Sequence, residues 1–200
     1  MTLVSYDEEI KKEGYSVICG VDEAGRGPLA GPVVACAIIM PTDRIIEEIN
    51  DSKKLTEKKR GLLFDVIKET AIDLSIGIAD EKEIDEINIL NATMLAMNNA
   101  LSGLKHSFDI ALIDGNCNRN IEFFNRTVVK GDALSYNIAA ASIIAKETRD
   151  RYMREIASKY PEYGFDVHKG YGTKAHREAL LKYGPCGIHR KSFLTKILGG

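Results

Sequence analysis

The sequence lacks any apolar run long enough to span a bilayer. Its longest, Val33 to Met40, has the length of a strand, whereas a spanning helix takes roughly 18 residues or more; the expectation is a protein with no membrane association. Met1 to Ile10 lacks a basic segment followed by an apolar core, so no secretory signal is visible and a cytoplasmic protein is expected. The four cysteines, Cys19, Cys36, Cys117 and Cys186, form no C-x-x-C and no regular cluster with His106, His168, His176 or His189. Reduced thiols are expected and a zinc site is not. Proline is scarce at 5 residues, and no repeat, linker or low-complexity tract interrupts the chain. With 44% hydrophobic and 28% charged residues over 200 positions, disordered and fibrous classes are excluded and one domain covering 1–200 is expected.

The net charge of -2 conceals an asymmetry. Residues 1–100 carry 11 basic against 19 acidic side chains, and residues 101–200 carry 16 against 10. The basic excess lies in the last third, where 141–200 hold 12 basic and 6 acidic side chains. This suits a polyanion held by the C-terminal part, although a solvated helical surface gives the same count.

Hydrophobic patterning predicts a strand over Ser16 to Val21 and an antiparallel partner over Pro32 to Met40, whose near-continuous apolarity suits a central position. A helix is predicted from Thr56 and Glu57, a third strand over Leu74 to Ala79, and helical periodicity from about Glu81 to Leu104. Ile110 to Ile113 and Thr127 to Val129 read as short strands, each running into an aspartate. A long helix follows from about Ala133 to Lys159, then short helices near 174–182 and 192–198. The order favours a mixed α/β sheet in which crossovers create parallel pairs.

Asp22, Glu23, Asp114 and Asp132 all fall at or just beyond strand ends, where open α/β sheets place their sites. Converging carboxylates repel one another unless cations neutralise them, and hard oxygen donors suit Mg²⁺ or Mn²⁺. Two such ions about 4 Å apart support in-line displacement at a phosphodiester, which is nuclease chemistry. Each position has a bland alternative: Asp132 as a helix N-cap, Asp114 as a turn residue, and the Asp22–Glu23 pair as a solvated strand end. Successive side chains of a regular strand point to opposite faces, so Asp22 and Glu23 address one metal only if the strand has ended or twisted.

Gly25-Arg26-Gly27-Pro28-Leu29-Ala30 matches G-x-G-x-x-A, but a strand follows instead of a helix and Pro28 and Pro32 interrupt, so a dinucleotide fingerprint is rejected. The glycines offer peptide groups free of side-chain cover, able to read a 2′-hydroxyl, or they serve a tight turn. Lys53 and Lys54 before a helix, and His168-Lys169-Gly170-Tyr171-Gly172, suit phosphate, sugar and stacking contacts; solvated loops are the alternative.

Cys19-Gly20-Val21-Asp22-Glu23-Ala24-Gly25-Arg26-Gly27-Pro28-Leu29-Ala30-Gly31-Pro32-Val33 closely resembles bacterial ribonuclease HII. Further blocks follow in family order: Asp51-Ser52-Lys53-Lys54-Leu55, Ile113-Asp114-Gly115-Asn116, Lys130-Gly131-Asp132-Ala133, Ala139 to Lys146, Thr148-Arg149-Asp150-Arg151, His168 to Thr173 and His189 to Phe193. The resemblance spans about 16–195. It implies a ribonuclease H-like α/β fold, a mixed sheet with flanking helices, with about 160–200 as a C-terminal helical extension. It implies a monomeric, metal-dependent endonuclease that cleaves the RNA strand of RNA/DNA hybrids. It also implies incision 5′ of single ribonucleotides embedded in duplex DNA, leaving a 3′-hydroxyl and a 5′-phosphate, in the service of DNA repair. On this resemblance Asp22, Glu23, Asp114 and Asp132 are the catalytic, metal-binding carboxylates for Mg²⁺ or Mn²⁺, two ions during catalysis. Gly25, Arg26 and Gly27 contact the ribonucleotide, Tyr171 packs on the neighbouring deoxyribose, and Lys53, Lys54, Lys146, His168 and Lys169 are phosphate or active-site contacts. Whether a sliding-clamp partner is used is not shown by the sequence. Competing readings are another polynucleotidyl transferase of the same fold, such as a resolvase or transposase core, and a nucleic-acid-binding protein without turnover.

Overall fold

The computed structural model describes residues 2–49 and 55–199. Its sheet has five strands, β1 (Ile18–Ala24), β2 (Val33–Ile39), β3 (Asp73–Ala79), β4 (Ile110–Asp114) and β5 (Asn125–Val128), in the order β3-β2-β1-β4-β5. The first three form an antiparallel meander, while β4 runs parallel to β1 and β5 parallel to β4. The helices are α1 (Leu3–Lys12), α2 (Glu57–Thr70), α3 (Glu81–Ser102), α4 (Tyr136–Ala157), α5 (Phe165–His168), α6 (Lys174–Tyr183) and α7 (Lys191–Leu198). No helix among the described residues is long and apolar enough to cross a membrane.

The pleat explains the layering. Cys19, Val21, Ala35, Ala37 and Ile39 turn to one face and pack with Ala92, Ala96, Met97 and Ala100 of α3. Cys36, Ile38 and Met40 turn to the other and pack with Ala139, Ala140, Ile143 and Ile144 of α4 and Leu63, Phe64 and Ile67 of α2. A central strand covered on both faces has no polar side to show, which is why Val33 to Ile39 is apolar throughout. Small residues let the helices approach closely. A Cβ on Gly20 would overlap the Asn137 backbone of α4, and one on Gly77 would overlap the Ala96 carbonyl of α3.

Local chemistry sets the helix starts. Thr56 caps α2 by accepting from the Lys59 amide at 3.3 Å. Asp80 and Glu83 make a reciprocal capping box on α3. The single helix expected over 81–104 is broken at Asn88, whose φ is 65° and whose Oδ1 accepts from the Leu90 and Asn91 amides, restarting the helix. The α4 helix begins at Tyr136 rather than Ala133, because Ser135 accepts from the Ile138 amide and takes the N-cap. Helix α1 was not expected from the patterning; its Asp7 is buried against α4, accepting from the Asn137 amide at 3.0 Å and Asn137 Nδ2 at 2.8 Å. The tail helices share a core with the segment after β1, in which Leu29, Ala30 and Met153 meet Tyr163, Phe165, Leu180 and Leu194.

Candidate active site

β1 is the middle strand, and its last turn of pleat carries Asp22 and Glu23. Parallel pairing sets Val21 beside Ile113, so the next residue of β4, Asp114, comes level with Asp22. Asp22 is 6% exposed and faces α4, where it accepts from the Glu23 amide at 2.7 Å and hydrogen-bonds Ser142. Glu23 pairs with Arg26 at 3.3 Å. Asp114 accepts from the Gly131 amide at 2.6 Å, which ties it to the short 3-10 turn Gly131–Ala133 that carries the buried Asp132. Asp132 therefore does not cap α4, and that bland alternative is overturned.

The arrangement is electrostatically unfavourable for anions. Burial, then the neighbouring Glu23 and Asp114, push the Asp22 carboxyl well above the usual carboxylate range, against the pull of Ser142. Burial also raises Glu23, with Asp114 adding to the rise and Arg26 opposing it. A cation among them would relieve this repulsion. Among the described residues no three His, Cys, Asp or Glu side chains form a closed metal cage, so the four expected ligands are not gathered into one ring. That still fits Mg²⁺ or Mn²⁺: magnesium keeps several waters and is held through one or two carboxylates plus substrate phosphates rather than by an all-protein cage. The donors are all hard carboxylate oxygens, and the raised proton affinities of Asp22 and Glu23 mark unmet demand for positive charge.

Two clefts meet at Glu23 and Arg26. One, of about 320 Å³, runs from Asp22 past Gly25 and Gly27 to Ser142, Lys146 and Tyr171. The other, of about 260 Å³, runs along α3 to Asp114 and Gly115. The three residues of the Gly25-Arg26-Gly27 segment differ in kind. Gly25 has φ +98°, and a Cβ there would strike Arg149, so glycine is demanded by conformation and packing. Gly27 has neither constraint: a Cβ would meet only Tyr171 Cε1 at 3.7 Å, in ordinary contact and facing the cleft. The Arg26 side chain is 53% exposed, and Tyr171 is 44% exposed.

Lys146 lies in the first cleft, where burial lowers its pKa and Asp150, at 2.5 Å, opposes that fall. Asp150 in turn takes Arg60 at 2.9 Å, and Arg60 also reaches Glu147. His168 and Lys169 are not among the residues that line either cleft. His168 Nε2 bonds the Tyr163 carbonyl at 2.7 Å and its ring stacks on His176, while Lys169 Nζ donates to the Asp166 carbonyl; both serve the packing of the tail. Lys53 and Lys54 lie outside the described residues. Sequence reasoning missed Ser142, Arg149 and Arg190 as supports of the site. The signal for Ser142 was its spacing, one helical turn before Lys146 on the same face of α4; a buried arginine leaves no such periodic trace.

The chain matches the family model "Ribonuclease HII" over residues 19–196. It is 59% identical over 192 residues to the ribonuclease HII of Caldicellulosiruptor bescii, covering 96% of this chain and 93% of that one. Its fold is similar to the ribonuclease H2 of Pyrococcus horikoshii OT3, with a TM-score of 0.74 and 29% identity over 91% of this chain and 97% of that one. At 18% identity and a TM-score of 0.71, covering 91% of this chain and 68% of that one, Bst-RNase HIII in complex with Mn²⁺ shares the fold. Carrying the acidic strand ends on this sheet and matching that family over nearly its whole length, the chain belongs to the ribonuclease HII family.

Proposed function

We propose that the chain hydrolyses phosphodiesters at ribonucleotides, cutting the RNA strand of RNA/DNA hybrids and incising duplex DNA 5′ of single embedded ribonucleotides, with 3′-hydroxyl and 5′-phosphate products. The observation that carries this reading is that Asp22 and Glu23, their proton affinities raised by burial and by Asp114, line one cleft together with Gly27 and Tyr171, while Asp114 lines the adjoining cleft that shares Glu23. Acidic groups mark the reacting phosphate, and a bare backbone beside an exposed ring marks the sugar.

Asp22, Glu23 and Asp114 would hold divalent cations, with Asp132 supporting from the turn that Asp114 anchors. When bound, Mg²⁺ or Mn²⁺ supplies an activated water and charge neutralisation at the phosphate. The chain's own groups orient the substrate. Arg26, half exposed and paired with Glu23, would meet the phosphate backbone, the missing side chain at Gly27 lets the sugar approach the main chain, and Tyr171 offers a face on which the next sugar would pack. A DNA-only transferase has no use for a ribose-reading wall, which disfavours the resolvase or transposase alternative.

The test is cleavage of a DNA duplex bearing one ribonucleotide, beside an all-DNA duplex and an RNA/DNA hybrid, with and without Mg²⁺ or Mn²⁺. Metal-dependent incision 5′ of the ribonucleotide, with the all-DNA duplex intact and EDTA abolishing the reaction, supports the reading. Asp132→Asn is expected to lose cleavage with its fold unchanged. Binding without incision under either metal would overturn the reading.

A further inference from the structure

Two arginines lie fully buried behind the Gly25–Pro32 segment, Arg149 at 1% exposure and Arg190 at 0%. Among the described residues neither forms an ion pair with a carboxylate. Isolated buried cations are costly unless every donor is satisfied, and here backbone carbonyls satisfy them. All five N–H groups of Arg190 are used. Its Nε donates to the Gly31 carbonyl at 2.9 Å, Nη1 to those of Arg26 at 3.0 Å and Pro28 at 2.8 Å, and Nη2 to those of Gly25 at 2.6 Å and Gly31 at 2.7 Å. Arg149 continues the pattern, donating to the carbonyls of Pro32 at 2.9 Å, Ala30 at 3.0 Å and Lys169 at 2.9 Å. The Arg190 amide takes the Leu29 carbonyl at 2.9 Å.

From residue 25 to residue 32, every carbonyl but that of Gly27 is thus drawn inward to one of two guanidinium side chains or to the Arg190 amide. A peptide plane has its N–H opposite its C=O. Pulling the Gly25 and Arg26 carbonyls inward turns the Arg26 and Gly27 amides the other way, toward the cleft, and those two amides meet no acceptor among the described residues. The positive φ of Gly25 and Gly31 belongs to the same device, since a Cβ at either would collide with the residues that make it, Arg149 or its neighbour Met153.

We propose that Arg190, seconded by Arg149, is a positioning residue that determines ribose specificity by holding the Arg26 and Gly27 peptide planes with their amides facing the substrate sugar. This rests on the reading of the cleft as a ribonucleotide site. A single ammonium cannot satisfy four carbonyls spread around a planar fork, so Arg190→Lys keeps the charge and releases the segment.

Two measurements test the inference. The first is limited trypsin digestion of the substrate-free protein, following cleavage after Arg26 by mass. Arg190→Lys is expected to speed that cut at least tenfold; an unchanged rate would show that Arg190 does not position the segment. The second compares KM for a duplex with one ribonucleotide against the inhibition constant of its all-DNA counterpart. In Arg190→Lys, KM is expected to rise about tenfold toward an inhibition constant changed by less than twofold, because phosphate contacts outlast the lost sugar contact. Ile10→Ala, which lowers stability from the core beneath α1 and makes no contact with the segment, should preserve the KM-to-inhibition ratio. Were Arg190→Lys to keep that ratio as well, its role would be structural and the inference overturned. If Arg190→Lys does not fold, Arg149→Lys, which leaves the Arg190 bonds in place, carries both tests with a smaller effect in the same direction. A wild-type protein with no ribonucleotide preference would sink the functional reading instead, while the trypsin result still decides whether the arginine positions the segment.

Discussion

Acid should unfold this protein partly through one histidine. The His189 Nδ1 accepts from the Cys186 amide at 2.9 Å, so its ring proton sits on Nε2 and is given to His176 Nε2 at 3.0 Å; His176 then uses Nδ1–H on the Tyr171 carbonyl at 3.0 Å. Each ring is neutral with both nitrogens engaged, and adding a proton to either sets two donors against each other. Burial, reinforced by His176, lowers the His189 pKa from 6.5 to about 4. The folded value lies below the unfolded one, so the stability linked to this group is complete above about pH 6.5 and is lost as pH falls toward 4. A shift of that size corresponds to about 2 kcal/mol lost by pH 5 and about 3 kcal/mol by pH 4. The assay is urea unfolding of wild type and His189→Asn at pH 7.5, 6.5, 5.5 and 5.0, followed by circular dichroism. Asparagine keeps an acceptor near the Cys186 amide but does not titrate, so the wild-type advantage at pH 7.5 should shrink by about 2 kcal/mol at pH 5. A constant gap across that range would refute the reasoning.

Two further outcomes follow from the cleft. Because burial and its acidic neighbours raise the Asp22 carboxyl, Asp22→Asn should stabilise the metal-free protein by about 0.5–2 kcal/mol while abolishing cleavage; a thermal melt in EDTA that moves downward would contradict this. Gly25→Ala should cost more than about 1 kcal/mol through its φ of +98°, whereas Gly27→Ala should shift stability by less than about 0.5 kcal/mol yet raise KM for a ribonucleotide-bearing duplex. Equal destabilisation by the two alanines would remove the distinction drawn between these glycines.

The sheet was legible because most of its strands are short apolar runs closed by polar residues, and the tight connection from β1 to β2 reads as an antiparallel pair; the later directions were not, since β3 runs antiparallel to β2 across a helix and β5 parallel to β4 across a short loop. The acidic residues were legible as strand-terminal groups, and the expectation that Asp22 and Glu23 diverge is carried by the pleat: Asp22 meets Ser142 of α4, and Glu23 turns to Arg26. Helix α1 escaped notice because its buried face is short, Ile10 with Leu3, Val4 and Tyr6, and it includes Asp7, a carboxylate whose partner Asn137 lies far along the chain. What His168 and Lys169 face was not legible, because cations beside an aromatic look alike whether they face a phosphate or a carbonyl.

The sequence by itself determined the fold class, the family and the identity of the acidic groups, since these depend on residue type and spacing along the chain. Only the tertiary structure decided which groups share a field and which glycine lies open to the cleft. The α4 position of Arg149 and the Arg190 start of α7 meet beneath a segment more than a hundred residues earlier, and hydrogen bonds to main-chain carbonyls depend on where the backbone passes, which no side-chain pattern records.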